Sequence, residues 1–187
     1  MNKRFAIINK PLTDLCVLET TPIGDHRGYL ERLFCQNELR SIIDIKSIVQ
    51  INHTITNKKG TIKGMHFQYK PYAENKLIFC LKGEIFDVAV DVRLDSPTFL
   101  HWHSEILSAS NHLSFFIPEG FAHGYQALTE NCEMLYLHTQ TYQPDAEGGL
   151  NALDPDLAIT WPLEVTEQSI RDQQQPMLSH HDFREFV

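Results

Sequence analysis

Short apolar runs separated by turn residues dominate the chain, and they predict β-strands rather than helices. Residues 77–81 and 85–92 are rich in β-branched and aromatic side chains and flank a Lys-Gly-Glu turn, which predicts a hairpin. The best helix candidate, residues 37–45, is brief and weakly amphipathic. Many short strands with few helices predict one all-β domain over residues 1–187, an antiparallel sandwich or barrel. Further strands are predicted at residues 47–56, 102–107, 113–117, 125–128 and 134–142.

The composition fits a packed domain with an acidic surface. Of the 187 residues, 42% are hydrophobic and 21% are charged, which supplies a core and argues against disorder. The net charge of -8 disfavours a nucleic-acid partner, because phosphate binding needs clustered Lys and Arg. We find no apolar stretch typical of a membrane span or a secretory signal, and we therefore expect a cytoplasmic protein. The four cysteines lack metal-ligand spacing, and free thiols fit a reducing compartment.

Ten histidines raise the question of a metal site. Metal-binding jelly rolls usually take a His-x-His pair and a Glu from one motif, and a last His from a later Pro-x-Gly-x-x-His motif. The later motif is intact at residues 118–123, but the earlier one reads His-Phe-Gln at residues 66–68, which puts a poor amide ligand where an imidazole is needed. The His-x-His pair at 101 and 103 is predicted to point out of an exposed strand, and a further pair stands at 180 and 181. The sequence therefore predicts no bound metal, with a metal-dependent cupin dioxygenase or isomerase as an alternative.

Without a metal, single side chains would have to carry the chemistry. His66 follows Gly64, which permits close backbone approach, and Lys76 stands at the mouth of the predicted hairpin. A neutral imidazole is the commonest general base, although a lone histidine is more often a hydrogen-bonded core residue. Asp87 lies on the partner strand of the hairpin, where a structural hydrogen bond is the alternative explanation. Together these residues favour a proton-abstraction site.

Alternation along two other predicted strands places polar side chains in pairs. Gln50 and Asn52 point to the same face because side chains two residues apart in a strand share one side of the sheet. Tyr136 and His138 share a face for the same reason. A tyrosine lining a barrel is usually a core residue with its hydroxyl hydrogen-bonded, but opposite a histidine it can act as a proton donor.

Taken together, these segments resemble the dTDP-4-dehydrorhamnose 3,5-epimerase family, which are sugar-nucleotide epimerases of the cupin fold. The resemblance implies a cupin double-stranded β-helix, or jelly roll, with short peripheral helices. It also implies a homodimer that acts on a dTDP-sugar without a metal or an organic cofactor. It spans about residues 25–176 and is carried by DHRGYLERLF, VQINHT, GTIKGMHFQ, ENKLIFCLKGEIFDVAVDVRLDSPTF, IPEGFAHGYQAL, EMLYLHTQTYQP and SIRDQQQP.

The resemblance also implies roles for individual residues. His66 matches the catalytic base, Asp172 the carboxylate paired with it, and Lys76 the cation that stabilises the enolate oxygen. Tyr136 matches the proton donor on the opposite face. A 4-keto group acidifies the hydrogens on carbons 3 and 5, so such a set can invert these centres by removing and returning a proton. The residues expected to contact the nucleotide, the diphosphate or the sugar are Arg27, Gln50, Asn52, Lys63, His123 and Tyr142, and Asp87 completes the predicted substrate-binding set.

Two positions depart from the family's pattern. Lys63 stands where the family has Arg before the Gly-(Leu/Met)-His sequence, so a point charge replaces a bidentate phosphate contact. Arg32 stands where many members have Glu. The alternatives that remain are epimerisation of only one centre, a 3,4-ketoisomerase of a nucleotide sugar, and a sugar-binding cupin that lacks catalysis.

Overall fold

The computed structural model describes residues 3–180, which form antiparallel strands joined by short loops. Two four-residue helices, α1 (Gln36–Leu39) and α2 (Ile170–Gln173), lie outside the sheets, and within residues 3–180 we find no helix long and apolar enough to cross a membrane. The strands are β1 (Phe5–Asn9), β2 (Cys16–Thr20), β3 (Ile23–Asp25), β4 (Gly28–Leu30), β5 (Gln50–Thr56), β6 (Ile62–Gln68), β7 (Lys76–Lys82), β8 (Glu84–Asp91), β9 (Trp102–Ser108), β10 (Leu113–Ile117), β11 (Phe121–Ala127), β12 (Cys132–His138) and β13 (Glu147–Gly149).

Two sheets face each other and enclose the core. A six-stranded sheet has the order β1-β2-β10-β7-β12-β5, and a five-stranded sheet has the order β13-β6-β11-β8-β9. Ile78 from the first sheet and Tyr125 from the second belong to the same buried cluster between them. Strands β3 and β4 form a separate hairpin. The predicted all-β cupin jelly roll with short peripheral helices is confirmed.

The β7–β8 hairpin is the strongest local feature of the sequence, and the prediction of it is confirmed. Its turn needs Gly83, which has φ +78°, and a Cβ there would lie 2.4 Å from the hydroxyl of Thr129. Strand β7 is apolar on both sides because each side is covered. Ile78 packs between the two sheets, whereas Leu77 and Phe79 pack in a second cluster behind the six-stranded sheet. A continuous apolar run is what such a doubly covered strand requires.

The predicted helix at residues 37–45 is wrong in its length. The helix ends at Leu39, and the chain then turns. Leu39, Ile43 and Ile45 are all buried in the cluster behind the six-stranded sheet, so these apolar residues are used for packing by an irregular segment. Tertiary contacts thus override a weak helical period.

Three predicted strands have shifted ends. The strand predicted from residue 47 begins at Gln50, and the one predicted from 125 begins at Phe121 and therefore includes His123. The strand predicted to reach residue 142 ends at His138. Beyond His138 a side-chain amide takes the place of the backbone hydrogen bonds between strands. The backbone N–H of Tyr142 donates to Gln50 Oε1 at 3.0 Å.

The cysteines and the His-x-His pair take structural positions. All four cysteines are unbonded thiols, and Cys80 is buried in the core as expected. His101 is exposed, while the ring of His103 lies edge-on to Phe115 with centroids 6.0 Å apart, so only the first of the pair points freely to solvent as predicted. Of the pair at 180 and 181, His181 lies outside the described residues.

Candidate active site

A cavity of about 820 Å³ opens between the inner faces of the two sheets. Strands β5, β7 and β12 line it from one side and β6 and β11 from the other, and the segment around α2 closes one end. Its volume falls in the usual range for small-molecule sites. Eight of the residues predicted for the site line this cavity, namely His66, Lys76, Tyr136, Asp172, Asn52, Lys63, His123 and Tyr142.

A histidine–carboxylate pair joins β6 to α2. His66 Nε2 lies 2.7 Å from Asp172 Oδ1. Asp172 occupies the first turn of α2, where its backbone N–H donates to the side chain of the N-cap residue Ser169 at 3.0 Å. An ionised carboxylate can only accept, so Nε2 carries the proton and Nδ1 of a neutral His66 keeps the free lone pair. The pair is therefore arranged as a base with a fixed tautomer.

The charge of Asp172 is maintained despite its burial. Burial raises the pKa of Asp172, but the hydrogen bond and charge of His66, with further bonds from Ser169 and the Gly64 backbone, lower it further than burial raises it. The side chain of Asp172 is 4% exposed and that of His66 22%. Arg171 Nη2 also approaches His66 Nε2 at 3.4 Å, and because both atoms are donors this is a charge contact rather than a hydrogen bond.

Lys76 is a buried cation held directly against the histidine strand. It is 7% exposed, and its Nζ donates to the backbone carbonyl of His66 at 3.1 Å. Glu74 Oε1 lies 3.5 Å from the same ammonium. Since the side chains of both His66 and Lys76 line one cavity, the predicted convergence of an imidazole and a cation is present.

Tyr136 faces the cavity from β12. Its ring lies edge-on to His123, with centroids 5.8 Å apart, and stacks on His138 at 6.0 Å with planes 12° apart. Burial raises the pKa of Tyr136 well above its usual value, with the nearby Tyr125 and Asp87 adding to the effect. The phenol therefore keeps its proton at neutral pH, which suits a proton donor.

A second histidine–carboxylate pair lies behind the tyrosine. His123 Nε2 is 2.6 Å from Asp87 Oδ1, and neighbouring strands β11 and β8 hold the two residues. Asp87 is fully buried and does not line the cavity, so it contacts His123 rather than the space where a substrate fits. Burial raises the pKa of Asp87, and His123 opposes that shift.

Of the residues predicted to bind substrate, Lys63 and Asn52 line the cavity, whereas Gln50 lies outside it. Lys63 lines the cavity and is half-buried, with its Nζ donating to the Ile55 carbonyl at 3.3 Å. Burial lowers the pKa of Lys63, and the charge of Asp172 opposes this. Gln50 does not line the cavity; its Nε2 donates to Asn52 Oδ1 at 3.3 Å. Gln50 thus supports Asn52, which does line it.

Arg27 does not meet the expectation within this chain. It sits at the turn of the β3–β4 hairpin, its side chain is 79% exposed, and it pairs with Asp25 at 2.6 Å. It does not line the cavity. Arg32 pairs with Glu38 and also lies away from the cavity.

The cavity residues that were not among the predicted site residues include Glu74, His138, Glu147 and Arg171. Strand alternation identifies His138, since it shares the face of Tyr136. Arg171 directly precedes Asp172 in the sequence, and Glu74 lies two residues before Lys76. Glu147 has no such signal, because only the fold brings its carboxylate to the hydroxyl of Tyr142 at 3.0 Å.

Among residues 3–180, no group of three or more His, Cys, Asp and Glu side chains is placed to hold a metal ion. His66 and His123 are neighbours on β6 and β11, but each ring uses Nε2 to contact its own carboxylate. A histidine paired with a carboxylate is an arrangement that suits proton transfer.

Comparison with known proteins identifies the family. The family model described as dTDP-4-dehydrorhamnose 3,5-epimerase matches residues 9–180. A relative of that name from Salmonella typhimurium is 40% identical over 174 residues, which cover 92% of this chain and 94% of the relative. The crystal structure of a dTDP-4-dehydrorhamnose 3,5-epimerase from Bacillus anthracis with TDP and PPi bound matches with a TM-score of 0.91 and 38% identity, covering 93% of this chain and 99% of that one.

A second structure agrees in sequence and in fold. The dTDP-6-deoxy-D-glucose-3,5-epimerase from Legionella pneumophila, in complex with dTDP-4-keto-L-rhamnose, matches with a TM-score of 0.91 and 38% identity over 96% of each chain. Both the sequence and the fold therefore agree over nearly the whole length. The chain belongs to the dTDP-4-dehydrorhamnose 3,5-epimerase family.

Proposed function

We propose that this protein is an isomerase that epimerises a dTDP-4-keto-6-deoxyhexose at the carbons next to the ketone. The observation that supports this most strongly is the meeting of His66 and Lys76 in one cavity, with the Lys76 ammonium 3.1 Å from the backbone carbonyl of His66. A base and a fixed cation at one ketone are what enolate formation needs.

The first step is removal of a proton from a carbon next to the ketone. His66 takes the proton at Nδ1, the electron pair of the C–H bond moves into the ring C–C bond, and the carbonyl electrons move onto oxygen. The Lys76 ammonium stabilises the resulting enolate. A single such donor is worth about 10²–10³ in rate. Asp172 holds the imidazole and stabilises the imidazolium, as carboxylates do in other histidine pairs.

The second step returns a proton to the opposite face of the same carbon. Tyr136 donates its phenolic proton as the enolate collapses back to the ketone, which inverts the centre. The burial that keeps Tyr136 protonated at neutral pH supports this role. The sugar is neither oxidised nor reduced overall, so the proposed reaction needs no hydride acceptor.

Two cations and an amide suit a nucleotide diphosphate at the rim of the cavity. Lys63 and Arg171 both line it near the His66–Asp172 pair, since the charge of Asp172 acts on Lys63 and Arg171 Nη2 lies 3.4 Å from His66 Nε2. Asn52 offers an amide on the opposite sheet. Phosphate oxygens favour ammonium and guanidinium donors in such partly buried positions.

We propose further that the working form is a homodimer. The β3–β4 hairpin projects with Tyr29 at 60% and Leu30 at 64% exposure, and the edge strand β5 exposes Ile51 at 61%. Exposed apolar side chains on a hairpin and on an edge strand are typical of a contact with another chain. The predicted substrate contact of Arg27 also requires a second chain, because its hairpin does not reach the cavity of its own chain.

We also propose a cytoplasmic location, which the four free thiols support because a reducing compartment keeps thiols unpaired.

The proposed function is tested by NMR of dTDP-4-keto-6-deoxyglucose incubated with the protein in deuterated water. We expect deuterium to enter the sugar at carbons 3 and 5 and the product to have both centres inverted. Deuterium at one carbon only would identify a single-centre epimerase. A mixture without protein controls for spontaneous exchange, and an enzyme sample no faster than this control would exclude epimerase activity on this sugar.

A further inference from the structure

A buried carboxylate next to the cationic residue of the site has no assigned role. Glu74 lies two residues before β7, and its side chain is only 9% exposed. Oε1 faces the Lys76 ammonium at 3.5 Å, and Oε2 accepts from His138 Nδ1 at 2.8 Å. Burial raises the pKa of Glu74, but the charges and hydrogen bonds of Lys76 and His138 outweigh it and leave the pKa below its usual value. Glu74 is thus an ionised group that joins two cavity residues.

His138 connects Glu74 to the ring of Tyr136 on the same sheet. It is the cross-strand neighbour of Lys76 between β12 and β7, so both side chains leave the sheet on the same face. Its ring stacks on Tyr136 with planes 12° apart. Because Nδ1 donates to a carboxylate, Nε2 of the neutral ring accepts, and Asn52 Nδ2 lies 3.3 Å from it as the donor. All polar atoms of the ring are therefore committed.

We propose that Glu74 and His138 act as one strut that positions the Lys76 ammonium and the Tyr136 ring relative to each other. This inference rests on the proposed function and adds two positioning residues to it. The cation must sit at the ketone oxygen while the phenol sits over the opposite face of the neighbouring carbon. The strut spans the distance between them through one ion pair, one hydrogen bond and one ring stack.

The strut matters because the reaction needs both of the groups that it holds to be placed accurately. Lys76 has four rotatable bonds, and besides facing Glu74 its Nζ donates to the backbone carbonyl of His66. The Tyr136 hydroxyl lies 3.6 Å from the sulfur of Met134, which is a weak acceptor, and it also interacts with the hydroxyls of Thr54 and Tyr125. A misplacement of about 1 Å in a catalytic group can lower the rate by about 10²-fold.

The kinetic test uses two variants that each remove one link. Glu74→Gln keeps an acceptor for His138 but removes the charge facing Lys76, and His138→Phe keeps a ring against Tyr136 but removes the donor to Glu74. We expect kcat to fall about 10- to 100-fold in each, with KM changed less than about threefold, since the variants disturb geometry in the transition state. Glu105→Gln is the matched control, because it alters a His–Glu pair on β9, with His103 at 3.5 Å.

The two variants break different links of the strut. Glu74→Gln removes the negative charge that faces the Lys76 ammonium, whereas His138→Phe leaves Glu74 in place against Lys76 and removes only the hydrogen bond to the ring. Wild-type kcat in both variants would overturn the strut.

A measurement without substrate keeps this test apart from that of the proposed function. ¹⁵N NMR of the histidine rings, with the His138 signal assigned by its loss in His138→Phe, should show the Nδ1-protonated neutral ring in the wild type. The Nε2-protonated form would refute the strut whatever the enzyme does. If the wild type fails to exchange the sugar hydrogens, the proposed function fails, and the ring signal still decides whether Glu74 holds His138.

Discussion

At the scale of single residues, the chemistry depends on which atoms are left uncommitted. His66 uses Nε2 for Asp172 and its backbone carbonyl for Lys76, which leaves Nδ1 as the free basic atom. His123 uses Nε2 for a fully buried carboxylate and lies edge-on to the ring of Tyr136. The two histidines are neighbours across β6 and β11, yet their different surroundings suit one to take a proton and the other to support the tyrosine.

Lys63→Ala should weaken binding of dTDP more than it lowers turnover. The half-buried ammonium offers one charged hydrogen bond to a phosphate, and losing such a bond costs about 1.5–3 kcal/mol, which is at least about 10-fold in Kd. Titration calorimetry with dTDP measures the first effect and kcat the second. A loss confined to kcat would contradict the phosphate role.

The same residue gives the affinity for dTDP a pH dependence with a defined sign. Burial lowers the pKa of Lys63, so its positive charge is lost at a lower pH than for an exposed lysine. Affinity is therefore expected to fall as pH rises through that lowered pKa. Lys63→Arg is the control, because a guanidinium stays charged across this range and should remove the dependence.

At the scale of elements, local sequence signals succeeded where one strand or turn decides the outcome. The β7–β8 hairpin follows from two apolar runs on either side of a Gly turn. The helix predicted at residues 37–45 is too long, because the apolar side chains of this segment pack behind the six-stranded sheet and do not form one face of a helix. The register between strands distant in sequence could not be inferred from either kind of signal.

Without that register, the sequence does not show how far each predicted site residue lies from the cavity. Alternation places Gln50 and Asn52 on one face, but it does not show that only Asn52 lines the cavity while Gln50 donates to it. Likewise, Asp87 was predicted to bind substrate, with a structural hydrogen bond as the alternative, and the pairing of β8 with β11 places it against His123. The residue types were therefore predictable, and their positions relative to the cavity were not.

At the scale of the whole molecule, the exposed β3–β4 hairpin and the β5 edge predict self-association. We expect sedimentation equilibrium to give about twice the 21.6 kDa chain mass. Ile51→Glu places a charge on the edge strand and should shift the mass towards one chain. Ile106→Glu on β9, 37% exposed, is the matched control. A wild type that sediments as a single chain at micromolar concentration would contradict the homodimer.

The central claim is that the imidazole of His66 removes a proton from a carbon next to the ketone. The Lys76 ammonium then stabilises the negative charge of the enolate that remains. This claim is tested most directly by NMR of the His66→Ala variant with dTDP-4-keto-6-deoxyglucose in deuterated water, beside calorimetric binding of dTDP. The account predicts that incorporation of deuterium into the sugar ring falls to the rate without protein while dTDP still binds. Incorporation at close to the wild-type rate would mean that another group is the base, and the account would be wrong.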